Sequence, residues 1–181
     1  MLPDLPDGFV YRPEFLTPEE ERELVERLSG LELRQFEFNG YHGKRRTVSF
    51  GLHYDFADAR LRDAPAMPAF LTSLRERTAT FAGVPADSLL HALVTEYMPG
   101  AGIGWHRDRP VFDDVIGISL LAECRVRFRR SAKEGRWERA SLMLQPRSAY
   151  LLRGAARTQW EHSIPAMAEL RYSITFRTTR H

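Results

Sequence analysis

Apolar residues recur at helical spacing in two segments of the first half of the chain. In residues 17–29, Thr17 is placed to cap a helix, Pro18 suits its first turn, and Glu20 completes a capping box. The predicted buried stripe is Leu24, Val25 and Leu28, with Gly30 as the stop. The second segment, residues 68–82, has its apolar side chains near helical spacing, at Phe70, Leu71, Leu74 and Phe81, and Gly83 closes it.

After Leu89 the pattern changes to short β runs separated by turn residues. They cover residues 90–98, 103–108, 115–122, 124–130, 140–145, 149–153, 160–164 and 171–177. In the fourth run Cys124, Val126 and Phe128 alternate with arginines, which is typical of a strand with one buried face. About eight such strands predict a sandwich or jelly roll, in a mainly β fold with flanking helices (α+β).

Length and composition favour one folded unit in a reducing compartment. The chain has 181 residues, 43% of them hydrophobic, and no linker divides it, so we expect a single domain over residues 1–181. Cys124 is the single cysteine and excludes an internal disulfide. The first eleven residues do not resemble a signal peptide, and the apolar run 115–122 is far shorter than the roughly 20 residues of a membrane helix. A cytoplasmic protein without membrane contact is expected, and no obligate protein partner is evident.

Arginine dominates the basic residues, although the formal net charge is only +2. Of the 26 basic residues, Lys44 and Lys133 are the two lysines and the other 24 are arginine. Arginine suits carboxylates and phosphates. A GC-rich coding sequence would give the same bias, and both explanations stay open.

The segment Gly104-Trp105-His106-Arg107-Asp108 places a histidine and an aspartate two residues apart in a strand-like stretch, so both side chains leave the same face. His162, which a jelly roll could fold back beside them, supplies a third metal ligand. Two histidines and one carboxylate occupy one face of an octahedral ion and leave about three positions open, as in non-haem Fe(II) oxygenases. The alternative is that these histidines are solvated or hydrogen-bonded side chains that bind no metal.

The last run, residues 171–177, alternates polar and apolar positions. Arg171, Ser173, Thr175 and Arg177 share one face, and Tyr172, Ile174 and Phe176 share the other. If the cationic face points into a barrel, its two guanidinium groups require an anionic partner, such as a small dicarboxylate at the metal. The alternative is an edge strand whose arginines meet solvent.

Three motifs together resemble the AlkB family of Fe(II)- and 2-oxoglutarate-dependent dioxygenases. They are the segment from Tyr97 to Asp108 (YMPGAGIGWHRD), then His162-Ser163-Ile164-Pro165, then R-x-S-x-T-x-R from Arg171 to Arg177. The resemblance covers about residues 90–177 and implies a double-stranded β-helix (jelly roll) core, supported by the helical segment 1–89 and a β-hairpin lid at about 34–58.

The resemblance also implies roles for individual residues. His106, Asp108 and His162 would bind iron, Arg171 would hold the far carboxylate of 2-oxoglutarate, Arg177 would lie near its metal-bound end, and Tyr97 would hydrogen-bond it. Thr95 and Ser173 stand where the family commonly has asparagine, so the hydrogen bonds to the cosubstrate are expected to be rearranged or water-mediated there. Pro110 stands where DNA-repair members have an acidic residue that helps recognise the base, which leaves the substrate open.

Residues 36–56 interleave aromatic and basic side chains, a mixture suited to stacking an extruded base and neutralising its phosphates. The predicted substrate-binding residues are Tyr41, Lys44, Arg45, Arg46 and Trp105. The alternative is a β-hairpin with an aromatic core face and a basic tip at Gly43-Lys44-Arg45.

The resemblance therefore implies an enzyme that uses Fe(II), 2-oxoglutarate and O2 to demethylate N-alkylated bases of DNA or RNA, single-stranded or base-flipped, with release of formaldehyde, succinate and CO2. An oxygenase of the same chemistry acting on a protein side chain or a small molecule is the first alternative. A jelly-roll binding protein with a purely structural metal is the second.

Overall fold

The computed structural model describes residues 4–38 and 41–180, and for residues 36–38 and 41–43 it describes the backbone alone. The helices are α1 (Pro18–Ser29), α2 (Ala69–Ala82) and α3 (Gly154–Thr158). The strands of the first half are β1 (Phe9–Arg12), β2 (Arg34–Phe38), β3 (Tyr41–Phe50), β4 (Leu52–Asp55) and β5 (Arg60–Asp63). Those of the second half are β6 (His91–Tyr97), β7 (Ile103–His106), β8 (Phe112–Leu120), β9 (Cys124–Ser131), β10 (Trp137–Leu144), β11 (Ser148–Leu152), β12 (Glu161–Ile164) and β13 (Arg171–Thr179).

Both predicted helices form with the expected ends. The Thr17 hydroxyl accepts a hydrogen bond from the Glu20 backbone N–H at 3.2 Å, and the Glu20 carboxylate accepts one from the Thr17 N–H at 2.8 Å, so the capping box is confirmed. In α2, Pro68 is the N-cap and the helix starts one residue later than predicted. Gly83 ends α2 in the left-handed region at φ 67°, which glycine adopts without a steric cost.

Two antiparallel sheets face each other and form the predicted jelly-roll core. The large sheet has the order β1-β11-β8-β13-β6-β3-β2, and the small sheet has the order β10-β9-β12-β7. The helices α1 and α2 pack on the outer face of the large sheet, in a core that includes Leu28, Leu71, Ile118 and Ile174. A second core lies between the sheets and includes Val126, Phe128 and Leu144. The predicted mainly β fold with flanking helices is confirmed.

β13 lies between β8 and β6 in the large sheet, so the edge-strand interpretation is wrong. Tyr172, Ile174 and Phe176 belong to the core under the helices. Arg171 and Arg177 therefore face the small sheet, and both are buried. The cationic face of this strand lies inside the protein.

The first half contributes more strands than its pattern indicates. β1 pairs with β11 at one edge of the large sheet, while β2 and β3 extend the other edge beyond β6. Lys44 and Arg45 lie within β3, which continues to Phe50, so the predicted basic tip at 43–45 is wrong. A separate hairpin, β4–β5, follows. No helix in the described ranges 4–38 and 41–180 is long and apolar enough to cross a bilayer.

Candidate metal and cosubstrate site

The small sheet brings His106, Asp108 and His162 together. His106 ends β7 and His162 lies directly opposite it on β12, with ring centroids 4.3 Å apart. Asp108 follows two residues later, and one potential ligand atom from each residue lies within 4.8 Å of the others. The predicted cluster of two histidines and a carboxylate is therefore present, although His162 lies more than 50 residues beyond the other two in the sequence.

Hydrogen bonds fix how these side chains face one another. His106 Nδ1 lies 2.8 Å from the Gly104 carbonyl oxygen. Since a carbonyl only accepts, Nδ1 is the donor in this contact. Asp108 Oδ1 accepts from Arg177 Nε at 3.0 Å and from Nη2 at 2.7 Å. Its Oδ2 lies 3.7 Å from His162 Nε2.

Burial and neighbouring charges keep the cluster in the form that binds metal. Burial, together with the His106 ring, lowers the pKa of His162 to about 3, so its imidazole is neutral at physiological pH. Burial opposes ionisation of Asp108, but the charge and hydrogen bonds of Arg177 together with the neighbouring histidines outweigh it, and they hold the pKa of Asp108 below its ordinary value. A neutral imidazole and an ionised carboxylate are the states that a metal requires of its ligands.

Arg171 is fully buried between the sheets and is only partly satisfied. Its Nε donates to Ser119 Oγ at 3.0 Å, and its guanidinium lies 4.9 Å from the centre of the Tyr97 ring. Nη1 and Nη2 are buried and have no hydrogen-bond partner among the described residues. A carboxylate is the group that fits such a pair of donors, because it accepts two parallel hydrogen bonds and neutralises the charge.

A narrow internal cavity of about 60 Å³ connects the metal cluster with Arg171. The polar side chains predicted from the sequence to contact the cosubstrate all line it. They are Thr95, Tyr97, Arg171, Ser173 and Arg177. The donor set of this cavity therefore fits a small dicarboxylate between Arg171 and the ion.

The sequence motifs do not single out Tyr150, which lines the cavity, Ser119, which binds Arg171, or Gly117, which packs against the Tyr150 ring. A Cβ on Gly117 would lie 2.2 Å from the Tyr150 ring, so only glycine leaves room for this tyrosine. Burial raises the pKa of the Tyr150 hydroxyl, which keeps it protonated. The signal for Ser119 was present in the sequence, since it is a polar residue inside an otherwise apolar run.

A wider cavity of about 550 Å³ opens beside the metal cluster. Tyr54 and Phe56 meet edge to face with centroids 5.1 Å apart, and the Arg109 guanidinium lies 5.5 Å and 4.9 Å from their rings. Trp105 and Arg45, two of the predicted substrate residues, also line this cavity. It has both the width and the aromatic lining that a planar ligand needs.

Two of the other predicted substrate residues, Arg46 and Lys44, do not line this cavity. Arg46 Nε and Nη2 bind the buried Glu96 carboxylate at 2.7 Å and 3.0 Å. Glu96 also accepts from the Tyr172 hydroxyl, on the helix side of the sheet. Arg46 therefore points away from the metal cluster, because it alternates with Arg45 along β3. Lys44 is exposed and near Gly100, and the side chain of Tyr41 lies outside the described residues.

Residues 8–177 match the family model of the 2OG-Fe(II) oxygenase superfamily. The chain is also 31% identical over 172 residues to "Alpha-ketoglutarate-dependent dioxygenase alkB homolog 7, mitochondrial" of Bos taurus, with 91% of this chain and 70% of that protein covered. The chain belongs to the AlkB family of 2OG-Fe(II) oxygenases. Its family consists of dioxygenases that use Fe(II), 2-oxoglutarate and O2, which confirms the predicted family, enzyme class and cofactors.

Two further similarities fit this family. The chain is 30% identical over 183 residues to "Alkylated DNA repair protein ALKBH8 homolog" of Arabidopsis thaliana, with 87% of this chain covered, and spans 51% of that longer protein. The solved structure described as "The structure of OsALKBH1" has a TM-score of 0.69, with 96% of this chain and 99% of that chain covered. At 15% identity, this match supports the fold alone.

Proposed function

We propose that the protein oxidatively demethylates N-alkylated bases of DNA or RNA. The oxygenase part of this proposal rests on Arg171 Nη1 and Nη2, which have no hydrogen-bond partner in the described part of the chain and share an internal cavity with His106, Asp108 and His162. When bound, Fe(II), 2-oxoglutarate and O2 supply the oxidation of the methyl carbon, with succinate, CO2 and formaldehyde as products. The name of the Arabidopsis relative, an alkylated DNA repair protein, supports a nucleic-acid substrate.

The polar cavity residues predicted to bind the iron and the cosubstrate each have a role in this proposal. His106, Asp108 and His162 hold the iron, and the Arg177 bonds to Asp108 Oδ1 leave Oδ2 to face the ion. Arg171 holds the distal carboxylate of the cosubstrate. The remaining residues, Tyr97, Thr95, Ser173 and Arg177, hydrogen-bond it directly or through water.

The wider cavity is the proposed binding site for the flipped base. Tyr54 and Phe56 offer aromatic surface, and Arg109 adds a cation above both rings. Arg45 and Trp105 line the same cavity and would contact the nucleotide. Lys44 and Tyr41, with the rest of segment 34–58, would form the lid over it. We further propose that the chain is one catalytic domain over residues 1–181 and acts in the cytoplasm.

One observation favours a second candidate function. Pro110 is exposed two residues after Asp108 and offers no side-chain hydrogen bond to a base. An oxygenase with the same iron chemistry that acts on a protein side chain or a small molecule has no need of such a bond.

The test is anaerobic reconstitution with Fe(II), followed by addition of O2 and 2-oxoglutarate with a panel of N-methylated DNA and RNA oligonucleotides. Succinate and formaldehyde are measured in the same reaction. We expect both in equal amounts with at least one oligonucleotide, and neither with His106→Ala. Succinate without formaldehyde across the whole panel would favour the second candidate, and no succinate with any oligonucleotide would contradict the proposed demethylation.

A further inference from the structure

The outer face of the small sheet carries arginine and tryptophan side chains. Cys124, Val126 and Phe128 of β9 are buried between the sheets, so the alternate residues of this strand face outward. The antiparallel register places Arg139 of β10 directly opposite Arg129. We name this surface the arginine–tryptophan face, and it consists of Trp105, Arg125, Arg127, Arg129, Trp137 and Arg139.

The centre of this face is ordered by stacking. The Arg129 guanidinium lies 4.5 Å from the centre of the Trp105 ring and 4.4 Å from that of Trp137. Its Nε donates to the Glu161 carboxylate at 2.6 Å. Arg127 lies 5.1 Å from the Trp105 ring and donates to Ser163 Oγ. The stack therefore holds these side chains in place before any ligand arrives.

The charge of this face is unbalanced. Four arginines share it, and Glu161 is the acidic residue that the described strands of the small sheet place beside them. Arg125 and Arg139 are exposed and form no ion pair within residues 4–38 and 41–180. Like charges directly opposite each other, as at Arg129 and Arg139, destabilise a sheet. An anion that lies between them would offset this repulsion.

We infer that the arginine–tryptophan face binds the phosphate backbone of a single-stranded nucleic acid, with an unpaired base stacked on Trp137. Alternate arginines of β9 repeat at roughly 6.8 Å, so several of them face an extended polyanion at once. Trp137 is 44% exposed and available for stacking. The inference rests on the proposed function for the class of ligand, since Trp105 lines the wider cavity and joins it to this face.

The small exposed apolar area of this face favours a nucleic acid over a membrane surface as its ligand. Among the described residues of β7, β9, β10 and β12, Trp137 is the one large apolar side chain that is exposed. Membrane-surface binding needs a broad apolar face beside the cations. A flexible polyanion with stacking bases needs only the cations and an aromatic ring.

The test measures binding of an unmethylated single-stranded oligonucleotide of about 15 nucleotides by fluorescence anisotropy over a series of salt concentrations. The double variant Arg125→Gln/Arg139→Gln is expected to weaken binding about tenfold at low salt and to lower the slope of log K against log salt by about 1.4. Trp137→Ala is expected to weaken binding at least about fivefold. The control is Arg22→Gln/Arg27→Gln, which removes two exposed arginines from α1 on the opposite side of the large sheet.

A methylated trinucleotide, too short to cross the face, separates this inference from the proposed function. All variants are expected to demethylate it at the wild-type rate, and only the two face variants are expected to lose the faster turnover of a longer substrate. If both face variants bound the oligonucleotide with wild-type affinity, the inference would be overturned. Turnover of the trinucleotide in the same variants would leave the proposed function intact. Loss of binding in the face variants supports the inference even if no substrate is demethylated. Binding to phosphatidylserine vesicles without binding to the oligonucleotide would also overturn it.

Discussion

Arg177 Nε and Nη2 donate to the same oxygen of Asp108, Oδ1, and leave Oδ2 directed toward His162. Both side chains are nearly buried, with 10% and 9% of their surface exposed. The pair therefore neutralises a carboxylate in the protein interior and orients its second oxygen as a ligand. The same arginine donates from Nη1 to His91 Nδ1 at 3.2 Å, which fixes it from a second side.

Arg177→Met is expected to destabilise the metal-free protein by about 3 kcal/mol, because it leaves Asp108 buried without its counterion. Mn²⁺ bound at the cluster supplies a new positive charge, so part of this loss is recovered when the metal is added. Urea unfolding with and without Mn²⁺ measures both effects. Arg180→Met is the matched control, since Arg180 is exposed and lies 3.5 Å from Asp113. An equal loss with and without Mn²⁺ would contradict the role of Arg177 beside the ion.

Arg45→Gln and Arg46→Gln form a matched pair on opposite faces of β3. Arg45→Gln is expected to raise the KM for a methylated oligonucleotide severalfold with little change in stability, because Arg45 lines the cavity. Arg46→Gln leaves Glu96 buried without a full partner and lowers stability by about 1–3 kcal/mol, with KM unchanged. Steady-state kinetics and urea unfolding separate the two effects. A raised KM in Arg46→Gln alone would reverse this assignment.

Gly117→Ala is expected to destabilise the protein by about 1–3 kcal/mol and to weaken 2-oxoglutarate binding, because the new methyl group displaces the Tyr150 ring in the cavity wall. Adding Tyr150→Leu to this variant removes the clash and restores part of the stability. Gly104→Ala, whose Cβ meets nothing within 4 Å, is the control. Calorimetric titration with 2-oxoglutarate and thermal unfolding measure the effects. Wild-type stability and binding in Gly117→Ala would contradict this packing.

Stability is expected to fall as the pH drops below about 6.5 through His91. Burial, with the charge of Arg177, lowers the pKa of His91 well below its ordinary value of 6.5. Below about pH 6.5, His91 therefore binds a proton in the unfolded chain but not in the folded protein. Above that pH, its imidazole is neutral in both states. His91→Gln removes this part of the pH dependence, and His53→Gln, at an exposed histidine, retains it. Urea midpoints from about pH 5 to 8 make the comparison; identical profiles for wild type and His91→Gln would refute it.

Local patterns predict those helices and strands whose ends and buried side chains depend on residues within the same element. The capping box of α1 needs only Thr17 and Glu20, and the alternation in β9 and β13 fixes which side chains face inward. The metal cluster is also predictable, because His106 and Asp108 share a short motif and a jelly roll returns His162 to them. The fold and the centre of the site therefore follow from periodicity and motif spacing together.

The outer parts of the site depend on long-range pairing that no local pattern contains. Arg46 resembles Arg45 in the sequence, and only the pairing of β3 with β6 sets it beside Glu96. Arg109 acquires its position over Tyr54 and Phe56 through contacts between segments about 50 residues apart. The arginine–tryptophan face likewise arises from the register of β9 with β10.

Anaerobic calorimetric titration of the Fe(II)-loaded protein with 2-oxoglutarate and with pyruvate, which lacks the distal carboxylate, tests whether Arg171 holds the cosubstrate. We expect Arg171→Met to weaken 2-oxoglutarate binding by about 3 kcal/mol, roughly a hundredfold in Kd, and to leave pyruvate binding unchanged. Wild-type affinity for 2-oxoglutarate in Arg171→Met, with iron bound and the fold intact, would contradict this role of Arg171.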